Sequence, residues 1–286
     1  MKKKFFLSVV MLFTLLFSGM SQAFIPEAEH LLYLVIKKIK QPVGIEAWQT
    51  RKILNYQTPD QGLIEFEEKL LYSYPNQLRT QIVSQSMESF SVESDYEFIK
   101  ISDGIISSQE KSLVDMYSDI LLYRDHETLL NQLDLKGIDT TQVSFQRYSD
   151  TICWVIGKHH KPNQETNSDF PGLWIEKDTF LPLRYIIKKN DKKVEFFYQN
   201  WHKVSKTFYP MQVYIFLDNR LYATIDVKTF YLKSGFLPDL FDIENIESLY
   251  PKQTPADDKE VKKNSDEEGF INKMKTYINN FQTREE

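Results

Sequence analysis

The stretch that most constrains the fold is residues 172–231, GLWIEKDTFLPLRYIIKKNDKKVEFFYQNWHKVSKTFYPMQVYIFLDNRLYATIDVKTFY. Short runs of aliphatic and aromatic residues alternate with polar breaks of two to four residues. No break is long enough to hold a helix, so each run must turn straight back beside its predecessor. This is the pattern of an antiparallel meander. A sheet of this size needs a cover for its apolar surface, and the remaining sequence has to supply it.

Upstream, the period-two pattern begins near Ile45. Residues 45–55 and 63–74 read as strands; in the second, Ile64, Phe66, Leu70, Tyr72 and Tyr74 share a face opposite Glu65, Glu67, Lys69 and Ser73. Tyr74, Pro75 and Asn76 form a turn, and residues 78–85 return. Residues 96–101 and 105–109 flank Ser102, Asp103 and Gly104, a hairpin signal. After a change of period, sheet resumes over 142–148 and 152–158, and a polar loop at 159–169 leads into the meander. The sum is about eleven strands in two blocks. Strand twist forbids a flat sheet of that width, so it must curl.

Two segments carry helical spacing. Residues 26–40 place Leu31, Leu32, Val35, Ile36 and Ile39 on one face, with Glu27 and Glu29 at the start and Lys37, Lys38 and Lys40 at the end, as the helix dipole favours. Residues 114–133, with Tyr117, Ile120, Leu121, Tyr123, Leu129, Leu130 and Leu133, fit one helix or two short ones closed by Gly137. The expected class is therefore α+β: a strongly curved, unclosed antiparallel half-barrel with helices over its concave face.

The amino terminus reads as an export signal. Lys2, Lys3 and Lys4 precede an apolar run over 5–17, and Ser21 and Ala23 supply the small residues of a cleavage site. The run is short of the ~20 residues a membrane span needs, and no cysteine follows it to be acylated. Residues 1–23 are thus assigned to a signal peptide, 24–250 to the half-barrel domain, 251–268 to a charged linker and 269–286 to an amphipathic helix with Phe270, Met274, Tyr277, Ile278 and Phe281 on one face. The expected location is the periplasm. Without the signal, 32 basic and 40 acidic residues remain, so nucleic acid is a poor partner. Cys153 is the only cysteine, which excludes an internal disulfide and a thiolate metal cluster.

Motifs of catalysis and cofactor binding are missing from the sequence: there is no GxSxG, HExxH, Walker loop or GxGxxG, and no cofactor is expected. His159 and His160 are adjacent and lack converging partners, so no metal site is assigned to them. Cys153 lies in an apolar strand and reads as a small buried hydrophobe. His202 reads as a surface or edge residue. What is abundant is large apolar side chain: 20 Phe and 16 Tyr against nine Gly. A secreted, curled, aromatic-rich sheet without catalytic groups points to acyl-chain binding. By strand alternation, Phe66, Tyr72, Trp154, Ile156, Phe196, Tyr198, Val213 and Ile215 would line the cavity, with the helical residues Leu121, Leu129 and Leu130 gating it; a slip of one residue would invert the face.

The order of Leu173-Trp174-Ile175-Glu176, Asp178-Thr179, Leu181-Pro182-Leu183-Arg184, the run from Val194 through Trp201, and Tyr209-Pro210 resembles the second half of the periplasmic lipoprotein-sorting family, the LolA- and LolB-like carriers. The resemblance covers roughly residues 24–247. It implies a half-barrel sheltering the acyl chains of lipoproteins or other lipids, loaded by an inner-membrane ABC transporter and unloaded to an outer-membrane acceptor. It also implies an arginine on an early strand that holds the helical lid shut, for which Arg51 is the counterpart. Relatives of this fold that act as lipid-sensing or envelope-stress regulatory modules are the alternative.

Overall fold

A computed structural model describes residues 25–39, 44–54, 63–83, 89–122, 125–158 and 170–252. The signal peptide, His159, His160, the linker from residue 253 onward and the carboxy-terminal helix assignment lie outside the described residues.

Helix α1 (Ala28–Ile39) is followed by six strands: β1 (Gly44–Leu54), β2 (Leu63–Ser73), β3 (Gln77–Ile82), β4 (Ser89–Ser94), β5 (Glu97–Ser102) and β6 (Ile105–Ser108). A 3-10 turn (Asp115–Ser118) runs into α2 (Asp119–Leu122), and α3 (His126–Leu135) follows. Seven strands complete the sheet: β7 (Val143–Tyr148), β8 (Thr151–Gly157), β9 (Gly172–Glu176), β10 (Pro182–Lys189), β11 (Lys192–Val204), β12 (Thr207–Leu217) and β13 (Arg220–Lys233). A second 3-10 turn (Pro238–Leu240) and α4 (Ile243–Leu249) end the described chain.

All thirteen strands belong to one antiparallel sheet in the order β6-β5-β4-β3-β2-β1-β13-β12-β11-β10-β9-β8-β7. Two meanders are therefore zipped along their first and last strands. Among the described residues, the long β1–β13 pairing, from Gly44 opposite Lys233 to Ile53 opposite Ala223, is the one pairing between strands far apart in sequence. It joins the two meanders, and every other pairing is between strands that follow one another in the chain. The sheet is an unclosed half-barrel, as expected, but has thirteen strands where the sequence suggested about eleven.

One of the additional strands, β4, was not legible as a strand beside its neighbours. In β2 and β3, the face carrying Phe66, Leu70, Tyr72, Leu78 and Ile82 turns toward the helices. In β4 the same face carries Ser89, Ser91 and Glu93, since Leu78 pairs with Glu93 and Thr80 with Ser91. The apolar residues of β4 and β5, namely Phe90, Val92, Ile99 and Ile101, point the other way. The polarity of the sheet thus changes sides between β3 and β4. Because both faces of β4 are covered, all six of its residues are buried.

That outer face is closed by the segment after β13. Phe236, Leu240, Phe241, Ile243, Ile246 and Tyr250 pack on Phe90, Val92, Ile99 and Ile101 as a second core. Arg79 braces the contact, its guanidinium 3.9 Å from the Phe90 ring centroid and its Nη1 donating to the Leu240 carbonyl at 3.2 Å. Asp242 caps α4 by accepting from the Asn245 amide at 3.0 Å. The chain then passes the edge strand β6, where the Ile106 amide donates to the Pro251 carbonyl at 2.9 Å, which covers part of that exposed edge. The last strand ends at Lys233, and Phe241 belongs to this strap.

The helices lie on the opposite, concave side. Leu31, Leu32, Val35, Ile36 and Ile39 of α1 are buried in the main core, and α1 packs against α3 and β12. The expected helix over 114–133 is three shorter pieces. Asp125 starts α3 by accepting from the Thr128 amide at 2.9 Å. Its end is a left-handed glycine cap. Gly137, at φ +78°, donates to the Asp134 carbonyl, and Ile138 donates to Leu133, with both Leu133 and Ile138 buried.

Candidate functional site: the concave wall and its lid

The concave wall follows directly from strand register. Val143, Ile156, Leu173, Tyr185, Phe196, Ile215, Ala223, Ile53 and Ile64 occupy one row across nine consecutive strands. A second row runs Tyr198, Val213, Ile225, Arg51 and Phe66. Side chains alternate faces along a strand, so pairing in register is enough to put each row on one side. Phe66, Tyr72, Ile156, Phe196, Tyr198, Val213 and Ile215 are all buried in the same apolar cluster. Trp154 joins that cluster only partly buried, its ring 4.7 Å from the exposed Phe145 at the rim. The eight residues singled out from alternation therefore share one surface.

The cover over this wall, the lid, is formed by residues 115–122 and 125–135. Leu121 and Leu129 are buried against the wall, and Leu130 is half-buried against the same core. Where Tyr117, Ser118 and Leu121 meet Ile45, Leu70, Tyr72, Leu78 and Tyr209, a crevice of about 10 Å³ remains. That is room for a single water-sized sphere at most. Aromatic side chains fill the rest: Tyr185 lies 5.7 Å from Phe196, and Tyr198 lies 6.2 Å from Trp201. Among the described residues, the space between wall and lid is filled largely by the protein's own side chains.

The lid is tied down by polar contacts inside this apolar setting. Arg51 on β1 donates through Nη1 to Asp115 at 2.5 Å and through Nη2 to Glu68 of β2 at 2.9 Å. Gln49 donates to Glu68 at 2.5 Å and to the Tyr117 hydroxyl at 3.1 Å. Tyr198 donates its hydroxyl to the Tyr117 carbonyl at 2.7 Å. Ser112 donates to the other Asp115 oxygen at 2.7 Å. Burial pushes the Asp115 carboxyl up, but Arg51, Lys100 and the Ser112 hydrogen bond outweigh it and hold the group down at about 2. Burial works against the Arg51 charge as well, and Glu68 and Asp115 more than restore it. Burial raises Tyr117 and Tyr198 well above the ordinary phenol range, so both stay neutral.

A second ionic group ties the lid to the far flank. Lys111 is ion-paired to Glu93 of β4 and, at 2.7 Å, to Asp119 at the start of α2; Lys136 approaches the other Asp119 oxygen at 3.5 Å. Burial, with Asp119 close by, raises the Glu93 carboxyl, while Lys111 opposes the rise.

The sequence pointed to Arg51 but not to its partners. Glu68 was visible in principle, since it falls on the inward parity of β2 between Phe66 and Leu70, as Gln49 does on β1 between Ala47 and Arg51. A charge on the apolar face of a strand needs a partner. Asp115 and Asp119 had no such signal, because the helical spacing over 114–133 marks the apolar residues of that segment and not which strand its charges will meet.

Catalytic geometry is sparse. Cys153 is buried on the outer face, and burial, with Glu176 nearby, pushes its thiol up to about 11, away from nucleophilic use. His202 is exposed on β11, as expected from the sequence. Glu29, His126 and Glu127 lie close enough to share an ion, but on the exposed side of α1 and α3. Among the described residues, no helix is long and apolar enough to cross a membrane.

Comparison with known proteins agrees with the architecture. No protein-family model and no curated protein matches the chain. Among solved structures it is similar to a LolA superfamily protein from Nitrosomonas europaea, at 10% identity and a TM-score of 0.51 over 77% of this chain and 99% of that one. A DUF1329 family protein from Desulfovibrio piger aligns over 77% of this chain and 98% of that one, at 14% identity and a TM-score of 0.49. The likeness to the Nitrosomonas protein identifies the fold as LolA-like.

Proposed function

We propose that this protein is a periplasmic carrier that shelters the acyl chains of lipids or lipoproteins between its concave wall and its lid, and performs no catalysis. The observation that carries the reading is the continuous apolar row across nine strands, facing a lid pinned by a buried ion pair. A buried ion pair is a poor way to gain stability, because desolvation offsets most of the attraction. It is a good way to hold a cover that must come off: the pair is lost all at once when the lid lifts. An inner-membrane ABC transporter as donor and an outer-membrane acceptor fit this role, and the signal sequence agrees with the compartment.

The magnitudes are compatible. Parting the buried pair costs little net, because both groups regain water, and re-exposing two lid side chains such as Tyr117 and Leu121 costs about 1.5–3 kcal/mol each. Burying a dozen methylenes returns roughly 10 kcal/mol at ~0.8 kcal/mol apiece. One acyl chain can thus balance the opening, while smaller apolar solutes cannot.

The test is exchange of a fluorescent fatty acyl probe, together with mass spectrometry of lipid retained by protein purified from the periplasm. Saturable uptake competed by natural acyl chains is the expected result. Protein that arrives without lipid and takes up no probe would end this reading.

A further inference from the structure

The lid segment has two sides, and only one faces the acyl-chain wall. Tyr117, Ser118 and Leu121 border the apolar crevice, whereas Met116 and Asp119 border a polar cleft of about 450 Å³ at the end of the sheet. Its other borders are the β4–β5 turn, the start of the lid, the end of α3, the β10–β11 hairpin and α4. The volume is that of an ordinary small-molecule site. Residues 116–121 border both spaces, so lifting this segment would join a greasy bowl to a charged cleft.

The charges of the cleft are mixed and only partly consumed. Lys111 is spent on Glu93 and Asp119. Asp119, 4% exposed, gives one oxygen to Lys111, while its Oδ2 accepts no hydrogen bond and lies 3.5 Å from Lys136. Lys189 donates to the Lys111 carbonyl at 2.8 Å, but its nearest carboxylate partner is the exposed Glu110 at 3.8 Å, so its charge is only loosely paired. Glu97 also lines the cleft. Carboxylates outnumber lysines along the lining, five to three. A purely anionic head would meet a net negative wall, and a purely cationic one would leave Lys136 and Lys189 unused.

We infer that this cleft is the headgroup subsite of the carrier and takes a zwitterionic glycerophospholipid with a terminal ammonium, its phosphate meeting Lys136 and Lys189 and its ammonium meeting Glu97 and Glu110. The inference rests on the acyl-carrier reading and adds the class of head that goes with the chains. Loose, half-exposed ion pairs such as Lys189–Glu110 can exchange partners at little cost.

The mature protein is incubated with vesicles of equimolar phosphatidylethanolamine and phosphatidylglycerol, separated from them, and its lipid is weighed by mass spectrometry. A preference of roughly fivefold for phosphatidylethanolamine is expected, the scale of one surface ion pair. The double variant Glu97→Lys with Glu110→Lys reverses the preference toward phosphatidylglycerol, while uptake of a headless fatty acyl probe stays unchanged and reports an intact bowl. Equal uptake of both lipids, or a preference that the double variant leaves in place, overturns the headgroup subsite alone. Uptake of the acyl probe without either phospholipid, or recovery from the periplasm with acylated lipopeptide only, does the same. Failure to take up any acyl compound removes the carrier reading and this inference with it.

Discussion

Arg51 and Asp115, 64 positions apart in sequence, meet at 2.5 Å where the lid reaches the sheet, and Arg51 joins Asp115 to Glu68. Replacing Arg51 by Met leaves two carboxylates facing each other in an apolar setting, which costs about 3–5 kcal/mol. Asp115→Asn keeps the shape and removes one charge, at about 1.5–3 kcal/mol. Hydrogen exchange should show amides 115–135 opening first in both variants, with the β10–β13 amides unchanged in Asp115→Asn. Uniform loss of protection over the whole sheet would mean the pair is a general structural element and not a latch.

The acid response follows from the same pair. The Asp115 carboxyl is held down at about 2 in the folded protein, against about 3.9 when unfolded. Its contribution to stability is thus fully present above pH ~4 and is lost as the pH falls through about 2. Lid exchange should not change through this group between neutral pH and about pH 4. Asp115→Asn should lose the additional opening that the parent shows below that. A latch that released at pH 5–6 would contradict this assignment.

Phe196 and Tyr198 are neighbours on the wall with different jobs. Phe196 is fully buried among Tyr185, Ile215 and the core, so Phe196→Ala costs about 3–5 kcal/mol in denaturant melts. Tyr198→Phe keeps the ring and strips the donor from the Tyr117 carbonyl, at about 1–3 kcal/mol. The second variant should also speed acyl-probe exchange, because the lost bond crosses from wall to lid. Slower exchange would place the opening elsewhere.

The strap on the outer face makes its own prediction. Phe241 is 1% exposed against Phe236 and the β4–β5 surface. Phe241→Ala should cost about 3–5 kcal/mol and increase binding of a hydrophobic dye, as Phe90, Val92 and Ile101 become accessible. Dye binding equal to that of the parent would show that the strap does not guard this face.

Cys153 offers a probe of the whole sheet. It is fully buried, and its thiol is pushed up to about 11. Alkylation at neutral pH should therefore be slow and follow the rate of global unfolding, accelerating in denaturant. Fast modification of the native protein would place the β8–β9 flank among the readily opening parts.

What the sequence determined by itself was everything governed by local chemistry. The alternation of Phe196, Tyr198, Val213 and Ile215 was enough to place them on one face, because a strand has period two and turns such as Asp218-Asn219 fix the register locally. The α1 stripe and the Gly137 cap were equally legible, being set within four residues of themselves. Only the tertiary structure decided the rest: that β1 zips to β13, that the sheet's apolar side switches between β3 and β4, and that Asp115 meets Arg51. Each depends on groups far apart in sequence, and neither a charge nor an apolar face carries in its own position the identity of the group that will cover it.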